Sequence, residues 1–156
     1  MTPRLSPRLA EIVAALPLEP HLRVLEIGCG PGAAARAVAE RLTTGHILAI
    51  DRSRTAIDQL ISSSGDLIAS GRLSARCVTI EDFVVGEGEE PFDLVFAIRV
   101  GALDGRHPDA GRIALERIAA ATRPDARLFV DGGAPPPGAW HPEVIVNGPE
   151  STVRFT

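Results

Sequence analysis

Glu26, Gly28, Gly30 and Gly32 fall two residues apart in the stretch Val24-Leu-Glu-Ile-Gly-Cys-Gly-Pro-Gly32. Glycine adopts backbone angles closed to other residues, so alternating glycines after an apolar run make a tight strand-to-helix turn that a ligand can approach closely. The helix that follows offers free N–H groups and the positive end of its dipole to an anionic group. On their own, three such glycines also fit a plain tight turn. Glu26 is harder to explain that way. In a strand that serves a dinucleotide this position is apolar, because the ligand presents a pyrophosphate. A carboxylate there suits a ligand with a cationic group near the loop. Asp51 ends the next apolar run. A carboxylate at that place accepts both hydroxyls of a ribose, or caps the helix that starts near Ser53.

Further along, Arg99 follows the apolar run Phe92–Ile98. It stands at a strand's C-terminal end, where ligands bind in open α/β sheets. It either contacts a ligand, such as an anionic group of an acceptor, or pairs with Glu81 or Asp51. His107 lies just before a helix. It is a candidate general base, since imidazole titrates near neutral pH; its ordinary alternative is an exposed residue at a helix start. Asp104 and Asp131 are weaker candidates. Trp140, the single Trp, either stacks on a planar acceptor or covers exposed core.

Positioning these residues requires alternating strands and helices, which argues for a parallel sheet covered by helices. Apolar residues at Leu9, Ile12, Val13 and Leu16 give a helical period after Ser6-Pro7, an N-cap and first-turn signal. Strands are expected at 22–27, 46–50, 74–80, 92–98 and 126–130. Helices are expected at 32–42, with Ala34, Val38 and Leu42 on one face, then from Ser53 through Ile57, Leu60 and Ile61. Another spans 108–122, with Ile113, Leu115 and Ile118 toward the core. The stretch Gly132-Gly-Ala-Pro-Pro-Pro-Gly-Ala-Trp-His-Pro142 cannot be helical. Segments 143–146 and 151–155 read as strands around Asn147-Gly148, a hairpin signal.

The chain has 156 residues, 45% of them hydrophobic, which suits one domain spanning 1–156. Its N-terminal helix falls within 1–20 and its shortened hairpin within 134–156. The net charge is −4 with no basic stripe, so a nucleic-acid partner is not expected. No apolar stretch is long enough to span a membrane, and the N-terminus is too interrupted for a secretory signal; a cytoplasmic location is expected. Cys29 and Cys77 read as free thiols, and the four scattered His give no metal-ligand spacing.

The motif Glu26-x-Gly28-x-Gly30-x-Gly32, with Asp51 and the run Phe92-Asp93-Leu94-Val95-Phe96, resembles the class I S-adenosylmethionine-dependent methyltransferases over about residues 7–133. The resemblance implies a Rossmann-like three-layer sandwich with a mostly parallel sheet of about seven strands. It implies S-adenosylmethionine as cofactor and S-adenosylhomocysteine as product. Glu26 would hold the amino-acid end, Gly28, Cys29 and Gly30 would line the methionine moiety, and Asp51 would take the ribose hydroxyls. Arg52 would lie along the adenine. The candidates for the adenine amino group are Thr79, Glu81 and Asp82, the register being open, with backbone contacts expected at Ile80. Arg99 is grouped with these cofactor-side residues. The Asn/Asp-Pro-Pro-aromatic motif of many amino-group methyltransferases of nucleic acids and proteins is absent after strand 4, so a small-molecule acceptor is expected. The family's helix between strands 5 and 6 has no counterpart here, and a homodimer would cover the face it leaves. The competing readings are a non-catalytic cofactor-binding or interaction module and, less favoured, an NAD-dependent oxidoreductase, which leaves Glu26 unexplained.

Overall fold

The computed structural model describes residues 5–103, 106–131, 143–147 and 153–154, the last two stretches by backbone alone. The strands are β1 (Arg23–Ile27), β2 (His46–Asp51), β3 (Leu73–Cys77), β4 (Phe92–Ile98), β5 (Thr122–Asp131), β6 (Glu143–Asn147) and β7 (Val153–Arg154). They form one sheet in the order β3-β2-β1-β4-β5-β6-β7. Neighbours from β3 through β6 run parallel, and β7 returns antiparallel to β6. The expected α/β class holds, and β1–β5 carry the described side chains. The connection between β5 and β6, where a helix was expected to be missing and where Trp140 lies, falls outside the described residues, as does Asp104.

The helices are α1 (Pro7–Ala15), α2 (Ala33–Arg41), α3 (Arg54–Ser63), α4 (Gly65–Ala69) and α5 (Pro108–Ala121). Ser6 caps α1 by accepting the Leu9 N–H, and Ser53 caps α3 by accepting that of Ala56. One face of the sheet packs Val24, Ala49, Phe96 and Phe129 against α1, α2 and α3 through Ile12, Val13, Val38, Ile57 and Leu60. The other packs Leu25, Ile50, Val95 and Val130 against α5 through Ala114, Leu115 and Ile118. Burial on both faces explains why β1 and β4 read as near-continuous apolar runs. Each buried Phe or Leu contributes roughly 1.5–3 kcal/mol.

Three sequence expectations need correction. Strand β3 stops at Cys77, because its partner β2 ends at Asp51 and the last ladder bond is Val78 N–H to the Asp51 carbonyl, 3.0 Å. A single 3₁₀ turn at Ile80–Asp82 follows. Strand β5 begins at Thr122, ahead of Pro124; a register shift opposite Phe92–Leu94 accommodates the extra length. Ile61 and Ile113 are 46% and 45% exposed, so the apolar period at these helix positions does not mark core.

Gly45 marks where β2 is fastened to the chain before β1. A Cβ there would lie 2.2 Å from the Leu22 carbonyl oxygen, which itself accepts the His46 N–H at 3.1 Å. Gly45→Ala is therefore expected to lower unfolding free energy by about 2 kcal/mol in denaturant titration, as an overpacked site does. Gly65→Ala meets open space and is expected to gain a few tenths of a kcal/mol, about the loss of glycine's unfolded-state freedom.

Candidate functional site

The strand order reverses direction at β1: β2 and β3 lie on one side, β4 to β7 on the other. The chain leaving β1 therefore turns to one face of the sheet and the chain leaving β4 to the other, which leaves a crevice at that edge. A cavity of about 760 Å³ opens there. Gly28, Asp51, Arg52, Thr79, Ile80, Glu81, Arg99 and His107, all singled out from the sequence, are among its lining residues. Glu26, Cys29 and Gly30 are not.

The glycine loop is held from within. The N–H groups of Gly28 and Cys29 both donate to the Ile50 carbonyl, at 2.9 and 3.0 Å. The Gly30 N–H donates to Asp51 Oδ2 at 2.9 Å, while Asp51 Oδ1 accepts the Ser53 N–H at 2.8 Å. Asp51 thus fastens the loop and the start of α3 together, so both readings of this residue apply. All three glycines have positive φ, 69°, 55° and 92°. At Gly28 a Cβ would press on Val100 at 2.7 Å, and at Gly32 on Leu60 at 2.6 Å; at Gly30 nothing lies within 4 Å. Arg36, which sequence reasoning missed, braces the loop from the first turn of α2. Its Nη1 donates to the Pro31 carbonyl at 2.8 Å and to Ser64 Oγ at 3.5 Å. It is nearly fully buried, and that burial lowers its pKa.

Glu26 sits beneath the loop, in register with Ala49 and Phe96 on the face covered by α1 and α2. It is buried, and its Oε1 has no hydrogen-bond partner. Burial first, and the charge of Asp51 second, hold its carboxyl well above the usual carboxylate range. Burial also pushes the Cys29 thiol up, with Glu26 and Asp51 adding to it. On the same edge Asp131 is buried and ion-paired with Arg8 of α1.

The raised Glu26 carboxyl has a consequence for stability. The folded chain keeps this proton where the unfolded chain, with a value of about 4.3, has lost it. Stability from this group is therefore lost as pH rises above that value toward the folded one. Thermal midpoints of Glu26→Gln and wild type are expected to agree below it. Within the window they should separate in the variant's favour by about 3–5 °C per pH unit. Parallel curves would mean that Glu26 is solvated.

On the far side of β1, Arg99 is the one described non-glycine residue with positive φ, 55°. That conformation costs about 1–2 kcal/mol for a side chain with a Cβ. It is locked at both peptide groups: the Arg99 N–H donates to the Asp131 carbonyl at 3.0 Å, and the Arg99 carbonyl accepts from Arg106 Nη2 at 3.5 Å. Among the described residues neither Glu81 nor Asp51 forms an ion pair with Arg99. His107 is the N-cap residue of α5 without a side-chain cap bond. A Cβ on Gly101 would stand 2.9 Å from its imidazole Cδ2, so that glycine is what lets the ring pack against the loop. After β3, Arg117 Nε holds the Glu81 carbonyl at 3.0 Å, and Thr79 Oγ1 donates to Asp82 at 3.2 Å. Arg106, Val100 and Ile113 also line the cavity and were not anticipated. The signal for them was topological: whatever follows β4 and opens α5 must lie at this edge.

The geometry agrees with what related proteins show. A family model described as a methyltransferase domain matches residues 24–125. The trans-aconitate 2-methyltransferase of Streptomyces avermitilis is 30% identical over 88 residues, covering 55% of this chain and 32% of that protein. The nocamycin O-methyltransferase of Saccharothrix syringae is 30% identical over 125 residues, 76% of this chain and 40% of that protein. This chain thus spans 40% or less of either relative. The crystal structure of coclaurine N-methyltransferase bound to N-methylheliamine and SAH superposes with a TM-score of 0.63 at 18% identity, over 79% of this chain and 34% of that one.

Proposed function

Because the chain belongs to the class I S-adenosylmethionine-dependent methyltransferase family, we propose that it binds S-adenosylmethionine in this cavity and transfers its methyl group to a small-molecule acceptor. The observation that carries the reading is the convergence of Gly28 of the glycine loop, Asp51 and the 3₁₀ turn on one cavity at the strand-order reversal. Names of two relatives, one for trans-aconitate and one for nocamycin, support an acceptor of small size.

The residues present fit the cofactor. Its sulfonium supplies an already activated methyl carbon when bound. A volume of about 760 Å³ falls in the usual range for such ligands. Asp51 keeps lone pairs for ribose hydroxyls, Gly28 allows close approach, and Arg52 would lie along the adenine. Thr79, Ile80 and Glu81 would edge the base. The partnerless, buried Glu26 carboxyl is the group that an ammonium at the amino-acid end would satisfy, with Cys29 and Gly30 forming the loop between them.

For in-line methyl transfer the protein contributes orientation and exclusion of water. An acceptor that must lose a proton would give it to the His107 imidazole. Asp131 is unsuited to that role, since Arg8 already holds its carboxylate. Calorimetric titration tests the reading: saturable binding of S-adenosylmethionine and S-adenosylhomocysteine is expected, and none of NAD. Binding of NAD alone would replace it with an oxidoreductase.

A further inference from the structure

The cavity is divided by charge. On the β2 and β3 side its lining acids, Asp51 and Glu81, outnumber the one cation there, Arg52. On the β4 and α5 side it carries Arg99, Arg106 and His107, and the acid there, Asp109, is engaged by Arg112 of the same helix. Between these side chains the wall is apolar, formed by Val100, Ala102 and Ile113. Arg99 is also the residue that holds a left-handed backbone, locked by Asp131 and Arg106. A bulky residue kept in that conformation at a cavity wall points to a use for its side chain. No carboxylate among the described residues pairs with it.

We propose that Arg99 determines acceptor specificity by holding a carboxylate on an acceptor with an apolar body. This rests on the reading that the Asp51 side holds the cofactor. A guanidinium fork matches a carboxylate in two hydrogen bonds. Phosphate shares that chemistry, but the cavity's acids, Asp51 and Glu81 on one side and Asp109 on the other, disfavour a dianion more than a monoanion.

The test uses protein saturated with S-adenosylhomocysteine and three probes with one aromatic body: 3-phenylpropionate, its amide, and phenyl phosphate. The acid is expected to bind saturably and at least tenfold more tightly than the amide or the phosphate. Arg99→Gln should abolish that preference while leaving S-adenosylhomocysteine affinity within about twofold, and Arg99→Lys should restore part of it. Arg99→Gly, which relieves the left-handed strain, should match or exceed wild type in thermal midpoint and still lose the preference. Equal binding of acid and amide, no binding of the acid, or tighter binding of the phosphate overturns the proposal. So does a tenfold loss of S-adenosylhomocysteine affinity in Arg99→Gln, which would assign Arg99 to the cofactor's own carboxylate. If wild type fails to bind S-adenosylhomocysteine, the underlying reading falls, and the proposal with it, before any acid is added.

Discussion

Gly30→Val is expected to weaken S-adenosylhomocysteine binding more than a hundredfold while the protein stays folded. The free chain has room for the side chain: nothing lies within 4 Å of a Cβ at this position. Two effects act on the ligand. The space left open above Gly30 is what a closely approaching ligand would fill. The φ of 55° is also foreign to a β-branched residue, so the peptide must rotate, and its N–H leaves Asp51. The strain lowers stability by about 1–2 kcal/mol. Gly30→Ala separates the two, because it carries the backbone penalty with a third of the bulk. Undiminished binding by the valine variant, measured calorimetrically, would reduce the loop to a simple turn.

Asp51→Ala is expected to lose about 2–3 kcal/mol of S-adenosylhomocysteine affinity, since hydrogen bonds to a charged group contribute about 1.5–3 kcal/mol. This corresponds to roughly thirtyfold to over a hundredfold in the dissociation constant. Its effect reaches beyond the ligand, because the same carboxylate accepts the N–H groups of Gly30 and Ser53. Thermal stability should therefore fall too, by about 1 kcal/mol for the lost cap-like bond. Asp51→Asn keeps an oxygen for one of these donors and should recover much of the stability but less of the affinity. Unchanged affinity in Asp51→Ala would remove the residue from the site.

How far these positions were legible in the sequence depends on what fixes them. The glycine loop and Asp51 are local: backbone angles closed to other residues require glycine, and an acid ending an apolar run names its strand end. The caps Ser6 and Ser53 are local in the same sense. Arg99 was visible as a strand-end residue, yet its left-handed backbone depends on Asp131, thirty-two positions later at the end of the neighbouring strand β5. Ile113 carries the helical period of α5 but faces the cavity, a distinction that periodicity does not encode. Arg36 drew no sequence signal, because its burial follows from the packing of Ser64 and the loop around it. The full length of β5 was hidden by Pro124, because a register shift that tolerates a proline is a property of the pair of strands.

The inward-turned N–H groups of the glycine loop bear on the thermodynamics of ligand capture. Since Gly28, Cys29 and Gly30 are already hydrogen-bonded to Ile50 and Asp51, a ligand meets a rigid surface and need not freeze a mobile one. Ordering a loop on binding ordinarily opposes affinity. Here that opposition is removed when the chain folds, so the glycine-loop end of the cavity behaves as a lock cut in advance.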